Sequence, residues 1–273
     1  MKKTFLLLLC ISCLLNSYGQ IGKLFSKKKK DTTTKFTVVK PTVTATTPPA
    51  AKIDLKKSDV SKRSADHLML QFGSDSWLNR PDSVATKGFS RHFNFYFMLD
   101  KPLKNDHRFS IGLGAGIGTS NIFFDHRYVD VKANSSKLPF RTSYSGSDSS
   151  SFNKSKITTI YLELPIEFRY YSNPSDPNHS WKAAAGIKLG TLLKSYFKGK
   201  DLQNKSGGSI YGSSYIEKEY GKRFFNGTKV ALTGRVGYGN LSLNVDYQLT
   251  EVLQPGFGPK MNTLSIGLTL SGL

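Results

Sequence analysis

The segment from Ile157 to Phe197 alternates apolar and polar side chains over a length that restricts the fold more than any other feature of the sequence. In its first half the apolar residues occupy the even positions, and after the turn-rich stretch 173–180 they occupy the odd positions. The apolar residues are Ile160, Leu162, Leu164, Ile166, Phe168 and Tyr170, then Trp181, Ala183, Ala185, Ile187, Leu189 and Leu193. A period of two predicts β-strands, because successive side chains of a strand point to opposite faces of a sheet.

The charged residues of this segment share one face of the predicted hairpin. They are Glu163, Glu167, Arg169, Lys182, Lys188 and Lys194. The other face carries only hydrocarbon. In a soluble sheet the apolar face would be turned inward, whereas in a membrane barrel the apolar face meets lipid and the charges fill the lumen.

Composition narrows the choice of partners. The 273 residues carry a formal net charge of +20, which favours anionic partners such as nucleic acid or the phosphates of a membrane surface. The length suits one large all-β unit or two small domains. After the N-terminal leader, no stretch approaches the ~20 apolar residues that a spanning helix requires.

The N-terminal quarter has two parts. Residues 1–19 combine a positive start, an apolar centre and small residues at Ser17 and Gly19, and they predict a signal peptide cleaved before Gln20. Acylation of Cys13, which would make a lipoprotein, is the alternative. Residues 20–66 are rich in Lys, Thr and Pro and predict a disordered basic arm in the periplasm, which could grip an anionic partner. Aromatic residues are not interleaved with these lysines as a stacking platform would require, so this exported chain is not expected to bind nucleic acid.

Residues 67–273 contain eight segments with strand periodicity, and the connections between them differ in length. The links after the second, fourth and sixth segments are short, at 100–108, 172–180 and 239–240, whereas the other links are longer. Outer-membrane barrels have tight periplasmic turns, extended outer loops and an even number of strands. We therefore predict an all-β fold, an eight-stranded antiparallel up-and-down transmembrane β-barrel, monomeric and located in the outer membrane.

Aromatic residues predict two girdles at the membrane interfaces. At the short-turn end they are Phe109, Tyr170, Tyr171, Trp181 and Tyr238. At the long-loop end they are Trp77, Phe89, Phe123, Phe124, Tyr196 and Phe197.

The lumen of such a barrel is just wide enough to be filled by side chains. The glycines at positions 112, 114, 116 and 118 have a plain period of two, which does not match a phosphate-binding loop, and they would leave room for long side chains opposite. Buried charges are tolerated when they are paired. We predict a charge network that closes the lumen and consists of Glu163, Glu167, Arg169, Lys182, Lys188, Arg235 and Asp246. Pro165 lies inside a predicted strand without an explanation from the sequence.

Catalysis has only weak support in the sequence. His92 is predicted to face the lumen near its outer rim, and Asp125-His126 begins a long loop rich in serine. Either histidine could join a hydrolytic triad of the kind found in lipid-modifying barrels. A lipid A deacylase-like enzyme is therefore the alternative to a non-catalytic barrel, and a secreted soluble β-sandwich is a third possibility. We predict no cofactor, because no set of residues has the spacing of metal ligands.

The long loops carry many basic residues. We predict that some of them contact lipopolysaccharide phosphates through charge-assisted hydrogen bonds. The candidates are Arg127, Lys132, Arg141, Lys200 and Arg223.

Three motifs carry a resemblance to a known family. The leader end Tyr18-Gly19-Gln20, the segment from Tyr161 to Tyr170 and the segment from Ala184 to Gly190 resemble the PorT-like outer-membrane β-barrel proteins of Bacteroidota-type bacteria. The resemblance covers roughly residues 67–273 and implies an outer-membrane barrel with a structural, surface-interaction or secretion-accessory role. The final residue, Leu273, departs from the aromatic ending that is common among such barrels.

Overall fold

A computed structural model describes residues 67–144 and 150–272. The predicted signal peptide and basic arm, residues 1–66, lie outside the described residues. Across those two ranges, no helix has the length and apolarity needed to cross a membrane.

The regular secondary structure of the described chain is almost entirely β-strand. Those strands are β1 (Leu68–Leu78), β2 (Arg91–Pro102), β3 (Phe109–Phe124), β4 (Tyr128–Val129), β5 (Phe140–Arg141), β6 (Ser151–Tyr171), β7 (Trp181–Gln203), β8 (Ile216–Tyr220), β9 (Thr228–Tyr238), β10 (Leu241–Gln248) and β11 (Asn262–Ser271). One short 3₁₀ helix, Pro177–His179, lies in the link between β6 and β7.

Eight of these strands close into an antiparallel barrel. Their order around the barrel is β1-β2-β3-β6-β7-β9-β10-β11, and β11 returns to pair with β1. β8 adds to the outer part of β7, and β4 pairs with β5 in a separate hairpin. The predicted fold class and strand number are confirmed, and so is the order of short and long links.

The side chains have the orientation of a barrel in lipid. Leu164 of β6 and Phe95 of β2 are 50% and 44% exposed, whereas Glu163 and Tyr96 beside them are fully buried. Apolar side chains on the outside and polar ones inside are expected when the outer solvent is acyl chain. The alternative of a soluble sandwich, with its apolar faces turned inward, is wrong.

β6 and β7 are much longer than a bilayer requires. They have 21 and 23 residues, whereas a tilted membrane strand needs about 9–11. Their outer halves, together with β4, β5, β8 and the long links, form a second layer above the barrel, which we call the cap. Its buried core includes Val84, Phe124, Val129, Leu138, Phe152, Phe197, Phe224, Phe225, Leu253 and Met261.

The cap corrects part of the predicted aromatic girdles. Trp77, Phe124 and Phe197 are buried at 5%, 2% and 0% exposure, so they do not face lipid. They point inward and pack in the core that joins the cap to the barrel, and Tyr171 at the other end is buried as well. The prediction was wrong for these four residues because it used proximity to a loop and ignored which face of the strand each residue occupies.

A β-bulge at Leu193 corrects the predicted orientation of Lys194. The register between β6 and β7 shifts at this point: Ile160 faces Lys194, and Tyr161 faces Leu192. Leu193 is the extra residue, so the even positions of β7 face outward beyond it. Lys194 is therefore exposed and lies over the ring of Tyr220 at 4.6 Å, and it does not enter the lumen.

The strand ladder also explains Pro165. The register between β3 and β6 runs through the pair Leu113–Ile166 and resumes at Gly116–Glu163. The interruption falls where residue 165 would have to donate a backbone hydrogen bond to β3. The pairing of Pro165 with Lys188 of β7 is kept. A proline lacks the N–H that a ladder requires, so a gap on one side accommodates it without a change of parity.

Candidate functional site: the barrel lumen and the cap

An arginine–carboxylate cluster occupies the lumen near the short-turn end. Glu167 of β6 accepts hydrogen bonds through Oε2 from Arg169 Nε at 2.9 Å and from Arg235 Nη2 at 3.0 Å. Arg169 Nη1 also lies 3.5 Å from Asp100 Oδ1. One guanidinium group comes from β6 itself and the other from β9, so the shared carboxylate links β6 to β9 past the intervening strand β7.

A lysine forms the centre of the next layer. Lys188 Nζ donates to Asp246 Oδ2 and to Gln71 Oε1, both at 2.8 Å. The same ammonium group lies 5.2 Å from the ring centroid of Tyr96. These contacts join β7 to β10, β1 and β2, and hydrogen bonding compensates a charge that is 98% removed from solvent.

Above it, Glu163 accepts hydrogen bonds from Lys229 Nζ at 2.8 Å and from the hydroxyl of Tyr96. The glycines make room for charged side chains as predicted, but these side chains come from the neighbouring strand β6 and not from the opposite wall. A Cβ atom on Gly118 would lie 2.4 Å from Glu163 Oε1, and one on Gly112 would lie 2.5 Å from Arg169 Nε. The small residues of β3 leave the space that these charged side chains occupy.

The seven residues of the predicted network all lie buried in the lumen. Six of them make the contacts above, and Lys182 lies nearer the short-turn end, with its ammonium group 5.4 Å from the ring centroid of Tyr171. Sequence reasoning missed Asp100, Lys229 and Tyr96. The alternation of β9 places Lys229 on the same face as Arg235, so its position was available from the sequence, whereas the contact of Tyr96 with Glu163 past the intervening strand β3 was not.

A polar cluster near the outer rim contains the predicted His92. His92 Nδ1 lies 2.7 Å from Asp75 Oδ1, and the Ser120 hydroxyl donates to the other oxygen of Asp75. In a hydrolytic triad the serine bonds to the imidazole and the carboxylate holds the far nitrogen. Here both the serine and the histidine bond to the carboxylate, and His92 Nε2 has no hydrogen-bond partner among the described residues.

The other candidate histidine is placed differently. His126 and Asp125 form an exposed contact of 2.9 Å at the start of a long link, and Lys87 pairs with the same carboxylate at 3.0 Å. Over residues 67–144 and 150–272, no three His, Cys, Asp or Glu side chains converge closely enough to hold a metal ion.

Comparison with known families agrees with this architecture. The family model described as the outer membrane protein beta-barrel domain matches residues 64–251, which is more than half of the chain. The chain belongs to this family. It is therefore an outer-membrane barrel, and the predicted location in the outer membrane is confirmed. A search of curated proteins found no match.

The cap of this outer-membrane barrel lies directly over the lumen. Tyr161 faces inward above Glu163, and its hydroxyl donates to the backbone oxygen of Asn226 in the link that precedes β9. Ring contacts then continue upward, from Phe152 to Phe197 at 5.7 Å and from Phe197 to Tyr128 at 5.1 Å. The ionic lumen is thus followed by an apolar layer at the end where outer-membrane barrels carry their long loops.

One acidic residue is buried within the cap. Glu219 of β8 accepts a 2.7 Å hydrogen bond from the hydroxyl of Tyr128. Burial raises the pKa of Glu219 above its ordinary value, although the bond from Tyr128 acts in the opposite direction. The pKa of Tyr128 is raised as well, first by burial and then by the adjacent carboxylate.

The five basic residues predicted to contact lipopolysaccharide do not form one cluster. Arg141 lies 3.5 Å from Asp130, and Arg223 donates to the backbone oxygen of Ala133 and lies over two aromatic rings. Arg127 directly precedes β4 in the cap, and Lys132 follows shortly after the same strand. Lys200 lies elsewhere, on the outer wall of β7, among other lysines.

Proposed function

We propose that this outer-membrane barrel is a non-catalytic surface protein whose lumen is closed to solutes and whose cap provides the interacting surface. One observation carries the proposal: paired charges fill the lumen in successive layers, and an apolar core lies over its outer end. Among the described residues, five carboxylates and five basic side chains share this interior. They are Asp75, Asp100, Glu163, Glu167 and Asp246, with Arg169, Lys182, Lys188, Lys229 and Arg235.

The size of the barrel supports a closed lumen. Eight strands give an interior that side chains can fill, whereas diffusion channels use 16 or more strands. The contacts Arg235–Glu167 and Lys188–Asp246 each reach past one intervening strand, and Lys188 also bonds to Gln71 on the opposite wall, so a solute would have to break buried ion pairs to pass. Breaking such a pair exposes an uncompensated charge at a cost of about 3–5 kcal/mol.

The geometry around His92 supports a non-catalytic role. A general base must reach the proton that it removes, and the Ser120 hydroxyl is bonded to Asp75 and not to His92. This cluster also faces the interior, away from the lipid that a deacylase would have to reach.

We also propose that the chain belongs to the PorT-like branch of the family. The residues that carry the resemblance, Tyr161 to Tyr170 and Ala184 to Gly190, form the paired membrane crossings of β6 and β7. They contribute Glu163, Glu167, Arg169 and Lys188 to the lumen network. A secretion-accessory role would predict that a deletion strain retains secreted cargo, which comparison of secreted proteins with and without the gene would reveal.

Conductance across planar bilayers tests the closed lumen. We expect the folded protein to give no current steps above background, whereas the double variant Arg169→Ser, Arg235→Ser should open small steps because two large side chains leave the lumen. The matched control is Arg108→Ser with Arg223→Ser, which removes two arginines outside the lumen and should remain silent. Stable steps from the unmodified protein at neutral pH would contradict the proposal.

Mass spectrometry of lipid A tests the non-catalytic role. Strains with and without the gene should have the same lipid A species. A lipid A change that the intact gene reverses, and that a His92→Gln gene does not, would overturn the proposal in favour of the deacylase-like alternative.

A further inference from the structure

Five lysines form a continuous basic surface on the outer wall of β6, β7 and β8. Lys154 lies opposite Lys200, Lys156 lies opposite Lys198, and Lys198 lies opposite Lys218 on its other side. All five side chains point away from the barrel interior. We call this surface the lysine wall.

The bulge at Leu193 creates the lysine wall. Without the extra residue, Lys198 and Lys200 would keep the parity of Lys188 and point inward. The shift turns them outward beside Lys154 and Lys156. It also turns Gly199 inward, where a Cβ atom would lie 2.6 Å from the ring of Phe152, so the small residue lets the cap core close behind the wall.

The arrangement of charges is unfavourable without a ligand. Directly opposed side chains of antiparallel strands have Cβ atoms about 4.5–5.5 Å apart, and like charges at this distance destabilise the pair. None of the carboxylates in residues 67–144 and 150–272 forms an ion pair with these five lysines. The acidic residues of β8, Glu217 and Glu219, lie on the opposite face and bond to Tyr215 and Tyr128.

The wall lies at the height of lipid headgroups. Ile160 is the outermost apolar residue on the lipid face of β6, and Lys156 follows four residues further out. A rise of about 3.3 Å per residue and a tilt of about 40° place Lys156 roughly 10 Å beyond the apolar band. Aromatic residues mark the same level: Phe123 lies under Lys156 Nζ at 5.5 Å, and Tyr196 packs on Tyr220 at 5.4 Å.

Two depressions lie on the outer surface of β6, β7 and β8. One, of about 210 Å³, is lined by Phe123, Lys154, Ser155, Lys156, Lys198 and Lys200. The other, of about 500 Å³, lies beside the bulge and is lined by Leu193, Lys194, Ser195, Tyr220, Gly221 and Lys222. A basic recess next to a recess that includes Leu193 and Tyr220 matches a molecule with a phosphorylated head and an apolar body.

We propose that the lysine wall is a binding site for the phosphate groups of the outer-leaflet glycolipid, the lipid A part of lipopolysaccharide. Lysine ammonium groups bind phosphate as point charges, and several of them together neutralise a doubly phosphorylated head. The bound phosphates would relieve the repulsion between the opposed lysines. The site rests on the location in the outer membrane and not on the closed lumen, so conductance of the barrel would not affect it.

Native mass spectrometry of the full folded protein in detergent tests the site with purified lipid A. We expect bisphosphorylated lipid A to remain bound, and enzymatically dephosphorylated lipid A to bind at least about 10-fold more weakly. The affinity for bisphosphorylated lipid A should fall by the same factor in the variant Lys154→Gln, Lys156→Gln, Lys198→Gln, Lys200→Gln, which we call the wall variant. The control Lys104→Gln, Lys137→Gln, Lys205→Gln, Lys260→Gln has the same net charge as the wall variant and should bind as the unmodified protein does.

Several outcomes would overturn the proposal. Equal binding by the wall variant, or an equal loss in the control variant, would show that the wall is not a site. Binding of inorganic phosphate alone at the concentration at which lipid A binds would show an anion site and not a lipid site. Heat-modifiable gel mobility identifies any variant that failed to fold.

A charge-reversal variant separates a ligand role from a structural role. Lys154→Glu with Lys198→Glu places an acid opposite Lys200 and opposite Lys156, and it leaves the hydrogen bond from Lys156 Nζ to Asn121 in place. We expect this variant to unfold at a higher temperature in lipid-free detergent and to lose lipid A binding by at least about 10-fold. Higher stability with unchanged lipid A binding would contradict the proposal.

Discussion

The barrel and the cap obey opposite rules of side-chain placement, although β6 and β7 run through both. In the barrel, Leu164 is half exposed and Glu167 is buried. In the cap, Phe152 and Phe197 are buried, and Lys154 and Lys200 point outward. The strand geometry is the same in both regions, so the difference lies in the solvent outside: acyl chain around the barrel and water or headgroups around the cap.

This reversal of side-chain placement between barrel and cap, which we call the inversion, explains why the interior is charged in the barrel and apolar in the cap. A barrel with an apolar outside has only its interior for charged residues, and these must be paired there. Above the membrane the outside can be charged again, so the interior becomes an ordinary apolar core. The boundary lies between Glu163 and Tyr161 on β6, two residues apart, and the bulge at Leu193 lies at the same level on β7.

The largest expected effect comes from breaking the lumen network at Glu167. Glu167→Ala leaves Arg169 and Arg235 without the carboxylate that they share. We expect a loss of about 3–5 kcal/mol in the free energy of unfolding, because removing one partner leaves buried charge uncompensated. Urea unfolding in lipid vesicles, followed by tryptophan fluorescence, measures it.

The control for this variant is Asp106→Asn. Asp106 pairs with Arg108 at 2.9 Å in an exposed turn, and such pairs contribute little. We expect no measurable change. Equal effects of Glu167→Ala and Asp106→Asn would mean that the lumen is hydrated well enough to replace the lost carboxylate.

The cap equivalent is Phe197→Ala. Phe197 is fully buried and contacts Tyr128 and Phe152 by ring packing. We expect a loss of about 3 kcal/mol, at the lower end of the range for buried aromatic truncations, because the loops around it can partly collapse. Hydrogen exchange should show the loss in residues of the cap and leave the membrane parts of β2 and β10 unchanged. Faster exchange throughout the barrel would show that the two regions do not unfold separately.

The sequence predicted the barrel because the alternation and the order of loop lengths are local signals. The inward position of Glu163, Glu167 and Arg169 follows directly from parity. Partners on non-adjacent strands, such as Tyr96 for Glu163, are residues 67 positions apart in the chain and were not predictable. The cap was missed because parity changes at one bulged residue, Leu193, and because its core comes from links without a period.

Placing a charge on the lipid face tests the solvent explanation directly. Leu164→Arg puts a guanidinium among acyl chains, and we expect a cost of about 2 kcal/mol near the bilayer centre. The matched control is Ile210→Arg in the cap, where the side chain is 45% exposed compared with 50% for Leu164. The two side chains are similarly exposed, so a loss of stability at Leu164 without one at Ile210 would show that the surrounding solvent determines the effect. Equal losses at both positions, measured by vesicle unfolding, would contradict the inversion.

The smallest expected effect concerns the buried carboxylate of the cap. Burial raises the pKa of Glu219 above the ordinary value of 4.5, so the folded cap binds a proton more tightly than the unfolded chain does. The stability of the cap should therefore fall as the pH rises from about 4.5 through the folded pKa, and stay level above it. Glu219→Gln keeps an oxygen acceptor for Tyr128 and cannot ionise, so it should remove this dependence and make the cap slightly more stable at pH 7. Proteolysis of the cap at pH 5 and pH 7 measures both effects. If Glu219→Gln kept the pH dependence of the unmodified protein, that dependence would come from another titratable group.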